Sequence, residues 1–364
     1  MVHYAGEARG YATMVLAALA AMYLLQTILE DPNPAPNPWR ILAFIAVSLL
    51  GFAAHLSFAV IEAGLGIWAT VALFQRLASP LSATARLTAL FGAQAIALTA
   101  YGAVAWNNFT VGGGISPPTA VSVNTMAELA FGADPAAQWS IAPAVGLVLA
   151  AAIWWLYRRG DGSWIFFAAD ALLYPLGFVL ADPPLGMAER YFIISALAAL
   201  ILAARGLALA MTGKRWTRAL AVAALAGFFI GNALLLDKFF AGGRGGYTEA
   251  VRFIAAAEEG PTREGPAREG PVRVAGYQPL RAGAVFKFHA ARAGLADSLR
   301  YVTPEEEAGA PAAWFIDGSF LGRRPAPEIS RQLKGAGPTP YALKAVFPYW
   351  GLSGDMWTIY RRAD

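Results

Sequence analysis

The chain has 364 residues, 57% of them hydrophobic and 14% charged, with a mean hydropathy of +0.47. Counting glycine in and tyrosine out brings the apolar share to about 63%, against roughly 45–50% in soluble globular domains, which excludes a wholly soluble enzyme. Zero cysteines exclude disulfides, thiolate metal sites and cysteine nucleophiles, and a scattered net charge of +4 gives no reason to expect a nucleic-acid partner.

Positions 1–238 hold 23 charged residues and the 126 that follow hold 29, so a multi-span membrane domain over 1–238 precedes a more polar domain over 239–364. A spanning helix needs about 20 apolar residues, and about eight segments approach that length: 10–29, 39–54, 56–75, 87–106, 139–157, 164–181, 190–211 and 216–236. The first follows Glu7 and Arg9 and ends in Glu30-Asp31-Pro32, with neither the basic leader nor the small-residue cleavage site of a signal peptide. The second and third are separated only by His55 and Ser57, which reads either as a tight re-entrant corner or as the turn between two spans.

Short-loop basic residues set the orientation. Arg40, Arg76, Arg86, Arg158, Arg159, Lys214, Arg215 and Arg218 fall on one set of connections and are assigned to the cytoplasm. The alternate set carries Glu7, Arg9, Glu128, Asp134, Asp182, Glu189, Arg190 and Asp237. Residue 1 then starts outside, and eight crossings return the chain to the outside near Phe239. Trp39, Trp106, Trp139, Trp154, Trp155, Trp164 and Trp216 sit near helix ends, as an interfacial aromatic belt requires. Of the outer loops, 107–138 is long and contains an amphipathic stretch over 121–131 suited to a membrane surface, while 182–190 is short and polar.

The tail opens on an amphipathic helix from Tyr247, followed by a five-residue repeat (Glu-Gly-Pro-Xaa-Arg from Glu259, Glu264 and Glu269) that makes 259–273 a Gly/Pro-rich loop. Strands are expected at 272–277, 299–302, 313–316, 341–347 and 356–360, and helices at 284–293 and 326–334, giving a small extracytoplasmic α/β domain. No GxGxxG fingerprint opens it.

Ionisable groups inside a membrane are costly and therefore informative. Glu62 lies five residues below the end of its segment, about 8 Å deep at helical rise, and reads either as a carboxylate in an outward cavity or as a structural one. Asp170 and Arg205 lie at equal depth on different helices, each about 10 Å from the cytoplasmic end, and are expected to form an intramembrane pair. The outer face collects His3, Tyr4, Glu7, Arg9, His55, Asp182, Glu189, Arg190 and Tyr191. Arginine with carboxylate and tyrosine suits phosphate-leaving chemistry, and the same residues equally suit ordinary polar helix ends. There is no HxxxH or HExxH spacing, so no cofactor is expected, although His3 and His55 with an outer carboxylate leave a divalent metal open.

Five motifs in order carry a resemblance. His3 to Ala12 resembles the "SxEARxYA" start of a membrane helix in the GT-C superfamily, in the polyprenyl-phosphate-sugar branch related to protein O-mannosyltransferase and lipid A aminoarabinose transferase. Leu50 to Phe58, around His55, resembles that family's "YTHYF" corner, and Glu189-Arg190-Tyr191 its "PRYxxPA" helix start. Tyr247 to Ala255 resembles its "YRxAVxxI" helix, and Gly354 to Arg362 its last strand. The resemblance spans nearly the whole chain. It implies inverting transfer of a sugar from a polyprenyl-phosphate donor to a glycan, lipid or protein hydroxyl, outside a bacterial inner membrane. It further implies phosphate held by Arg9 or Arg190, with Tyr11, His55, Glu189 and Tyr191 around the substrates and Glu7 and Glu62 as catalytic carboxylates. The family's principal acidic residue stands on a first outer loop, so the chain looks like the latter two thirds of such an enzyme, with that loop upstream of Met1. The other reading is a non-catalytic multi-span transport or scaffold protein of the cell envelope; the lack of an internal repeat favours the transferase.

Overall fold

Runs of alanine and leucine long enough to satisfy their own backbone hydrogen bonds become helices, the simplest way to bury a peptide chain in lipid. The computed structural model describes residues 10–31, 37–77, 79–105, 118–135, 140–183, 188–242, 245–259, 270–277, 279–307, 310–319, 325–333, 337–349 and 356–363. Its contacts divide the chain into two units, 1–133 with 139–232, and 134–138 with 233–364.

The first unit is helical. It contains α1 (Tyr11–Glu30), α2 (Pro38–Ala54), α3 (Phe58–Arg76), α4 (Pro80–Ala105), α5 (Thr119–Phe131) and α6 (Ala142–Arg158). A broken helix α7 follows over Trp164–Ala181, then α8 (Ile193–Met211), entered through a 3-10 turn Glu189–Phe192. Helix α9 (Arg215–Gly242) runs on into the second unit. Six of these helices are long and apolar enough to cross a membrane, so the protein is a polytopic helical membrane protein. The other two apolar helices, α2 and α6, have 17 residues each, about 26 Å at helical rise. In α9, Leu220, Phe229, Ile230 and Leu234 are each about 60% exposed, a side-chain distribution suited to lipid.

Local sequence explains the breaks. The chain turns at His55–Ser57 between α2 and α3, so the polar interruption separates two helices. Pro175 has no N–H to return to Ala171, and the ladder loosens just before it into a π-helical turn, Ala168–Leu173, where Tyr174 N–H reaches back to the Ala169 carbonyl. On α1, buried residues recur as Met14, Ala17, Ala18, Ala21, Leu25, Ile28 and Leu29, a stripe that packs on α2 and α3.

The second unit holds the small sheet domain. After α10 (Tyr247–Glu259) come β1 (Val272–Gly276), α11 (Pro279–Arg292), β2 (Leu299–Tyr301), a short α12 (Pro304–Glu307), β3 (Trp314–Ser319), β4 (Glu328–Gln332), β5 (Pro338–Phe347) and β6 (Met356–Arg362). The strand order is β2-β1-β3-β6-β5-β4, parallel among the first three and antiparallel from β3 onward. Period-two alternation sends Val274, Trp314, Ile316, Trp357 and Ile359 to the face covered by Val251 and Ile254 of α10 and Phe286 of α11. Phe315, Tyr341 and Tyr360 form a smaller core on the other face. There Glu307, 1% exposed, receives two hydrogen bonds from Arg331 at 2.8 and 2.9 Å, and the Arg331 guanidinium lies 3.8 Å over the Phe315 ring.

One expected helix is a strand. Where a helix over 326–334 is expected, Glu328–Gln332 forms β4, paired antiparallel with β5. Ile329 and Leu333, four apart, imitate a helical stripe. The true pattern has period two, because Arg331 between them also points inward, onto Glu307.

Candidate functional site

At one end of the helical unit the chain brings together residues far apart in sequence. Gly10 opens α1 with φ +73°, and a Cβ there would lie 2.2 Å from the Ala54 carbonyl oxygen. That close approach sets Tyr11, 2% exposed, beside His55, with ring centroids 4.5 Å apart. The Ser57 N–H donates to His55 Nδ1 at 3.2 Å, which leaves Nε2 to carry the proton of a neutral ring. Burial and the nearby Arg190 guanidinium hold the imidazole below the usual histidine range.

Arg190 sits in the 3-10 turn before α8, half-buried, its guanidinium 5.2 Å from the Tyr191 ring centroid and electrostatically within reach of Tyr11 and Glu189. Tyr174 of α7 fastens this turn by donating its hydroxyl to the Tyr191 carbonyl at 3.3 Å. The structure thus gathers Tyr11, His55, Glu189, Arg190 and Tyr191 from the starts of two helices and the corner between two others. Glu7, Arg9, His3 and Tyr4 lie outside the described residues.

A second feature adjoins this cluster. Phe192, two residues past Arg190, lines a partly open apolar cavity of about 420 Å³ between α5, α6, α7 and α8, with Met126, Leu149, Leu176 and Ala196 among its walls. Helix α5 packs against the 3-10 turn itself. Its register buries Thr119, Ser122 and Thr125 at three-residue spacing, and Asn124 accepts the Ala142 N–H at 3.1 Å to hold the start of α6. The stretch expected to be amphipathic is a helix with one buried face. The signal in the sequence for which face packs on protein is the small hydroxyl residues recurring every third position between apolar ones.

Glu62 and Asp170 lie elsewhere. Both Glu62 carboxylate oxygens are sealed from solvent inside the bundle, so Glu62 does not face an outward cavity; the buried Ser48 hydroxyl of α2 lies beside it without closing a hydrogen bond. Asp170, 2% exposed on the π-helical turn, packs directly on Gly64 of α3, where a Cβ would stand 2.4 Å from Asp170 Oδ1. Only glycine admits that approach.

The expected Asp170–Arg205 pair is not formed. Arg205 donates instead to the Asp161 carboxylate and to Ser163 Oγ, the latter at 2.8 Å, while Asp170 Oδ2 has no hydrogen-bond partner. Equal backbone depth misled the expectation, because a long arginine stem snorkels toward the helix end and finds the 159–163 turn first. Among the described residues no cluster of three or more His, Asp or Glu side chains is arranged to hold a metal.

Comparison of the chain with protein-family models, with curated proteins and with solved structures finds no match.

Proposed function

We propose that this is a membrane glycosyltransferase of the GT-C type, or the portion of one, that binds a polyprenyl-phosphate-linked sugar at the His55 end of its helices, on the extracytoplasmic side of a bacterial inner membrane. Eight crossings, counting α2 and α6 with the six longer helices, give that orientation from the basic loops. The observation that carries the reading is that the turn holding Arg190 also supplies Phe192, two residues on in sequence, to the wall of the apolar cavity. A lipid phosphate needs both parts: a guanidinium that matches its oxygens with two parallel hydrogen bonds, and an apolar volume for the isoprenoid chain.

In this reading the acceptor hydroxyl oxygen bonds to the anomeric carbon as the bond from that carbon to the lipid phosphate breaks. The phosphate monoester leaves with the electron pair, and the acceptor's proton passes to a carboxylate. Arg190 offsets the developing phosphate charge, and Tyr11, His55 and Tyr191 orient it. Glu189 and the Glu7-Arg9 segment complete the polar rim in the resemblance; the buried Glu62 is not in contact with it.

The test is binding, which does not depend on turnover. A short polyprenyl monophosphate should bind the purified full chain in detergent micelles, measured by native mass spectrometry, and Arg190→Ala should weaken it about tenfold or more, since a charged hydrogen bond is worth roughly 1.5–3 kcal/mol. Equal binding by both proteins, with the unfolding temperature unchanged, would remove Arg190 from the phosphate site.

A further inference from the structure

The opposite end of the same helical unit carries an open groove of about 400 Å³ between the last turns of α6 and α8, walled by Trp155, Leu156, Ala208 and Leu209 and rimmed by Arg159, Thr212 and the ion-paired Arg205 and Asp161. Its charges are not balanced. Arg205 is already engaged by Asp161 and Ser163. Arg159 forms no ion pair among the described residues; its guanidinium lies 4.0 Å over the Trp155 ring, exposed at the mouth of the groove. Arg158, Lys214 and Arg215 adjoin the same two helix ends, each exposed, against Asp161 as the single carboxylate within 158–218 at this end.

We infer that this groove binds the headgroup of an anionic phospholipid, with the phosphate against Arg159 and an acyl chain along Ala208 and Leu209. A guanidinium held over tryptophan at the end of membrane helices is positioned at headgroup depth, where indole rings also settle. Apolar walls below and uncompensated cations above match the two halves of a phospholipid. Basic pockets between membrane helices select anionic over zwitterionic headgroups for this reason. This site is separate from the polyprenyl-phosphate reading and stands or falls without it.

The test uses the full chain reconstituted in an equimolar mixture of phosphatidylglycerol and phosphatidylcholine, re-extracted, and analysed by mass spectrometry for the lipid that stays bound. The wild type should retain phosphatidylglycerol over phosphatidylcholine by about fivefold or more, the factor that roughly 1 kcal/mol per cation provides. Arg159→Gln should lower that ratio about fivefold, and Ala208→Trp, which fills the groove without touching charge, should lower total retained lipid. Lys287→Gln, on the exposed surface of α11, should leave both unchanged. Millimolar inorganic phosphate should not displace the lipid, because the groove also binds the chain. No preference in the wild type, or a preference untouched by both groove variants, would overturn the inference; displacement by free phosphate would reassign the site to a soluble anion.

Discussion

Among the described residues, the sheet domain and the core of the helical unit bury carboxylates in opposite ways. In the sheet domain Glu307 is 1% exposed and fully answered: Arg331 meets it with two hydrogen bonds and lies over the Phe315 ring. In the helical unit Asp170 is 2% exposed and Glu62 8%, yet one oxygen of the first and both of the second lack a hydrogen-bond partner. Burial alone therefore does not say what a charge is for. The first arrangement ties an edge hairpin to its sheet. The second is an uncompensated polar site within a membrane bundle, kept by a glycine on the facing helix and a π-helical turn under it.

The largest effect separating the two should come from Arg331. Arg331→Met strands the Glu307 carboxylate in an apolar core and should destabilise the sheet domain by about 3–5 kcal/mol, read as its loss of protease resistance in the full chain. Glu307→Leu added to it should restore much of that loss. If Arg331→Met alone is mild, the pair is not the tie described here.

Asp170 should behave differently. Asp170→Asn, which removes no ion pair, should leave stability within about 1 kcal/mol. Gly64→Ala should cost about 1–3 kcal/mol by overpacking against the carboxylate. Combined with Asp170→Ala, Gly64→Ala should become nearly neutral, a coupling measurable by thermal unfolding in detergent. Additive costs would show that the two side chains do not touch.

Acid should act on His55. Its folded-state pKa lies below 6.5, so the unfolded chain takes up the proton more readily. This contribution to stability is complete above 6.5 and is lost as pH falls below that value. The unfolding temperature of the full chain should decline there, and less so in His55→Gln. A decline of the same size in both proteins would place the titrating group elsewhere.

The smallest effect is expected at Arg205, whose ion pair with Asp161 is about a third exposed. Discounted for solvent, Arg205→Gln should cost roughly 0.2–1 kcal/mol. A loss of several kcal/mol would mean that Arg205 is buried in lipid after all.

Much of the fold was legible in sequence because membrane helices and period-two strands advertise themselves. The existence of the apolar helices, the break at His55 and five of the six strands follow from apolar run lengths and alternation, while two helix bounds, at Pro80 and Gly242, lie six or seven residues beyond the apolar run. The site was legible only in part. Tyr11, His55 and Arg190 could be nominated by chemistry and by helix ends, but the Gly10–Ala54 approach that sets Tyr11 against His55 depends on two helices meeting. Arg205 was misjudged for a physical reason. A long cation's partner is chosen by where its tip arrives, and backbone depth does not record that.

The central claim, that Arg190 and the adjoining apolar cavity form one lipid-phosphate site, is tested most directly by photo-crosslinking. A polyprenyl phosphate carrying a diazirine on its chain should label cavity residues such as Leu149, Leu176 or Ala196 in the full chain, and Arg190→Ala should abolish the label while unlabelled polyprenyl phosphate competes for it. Labelling confined to outward faces such as Phe229 and Leu234 of α9, or cavity labelling indifferent to Arg190→Ala, would contradict the claim.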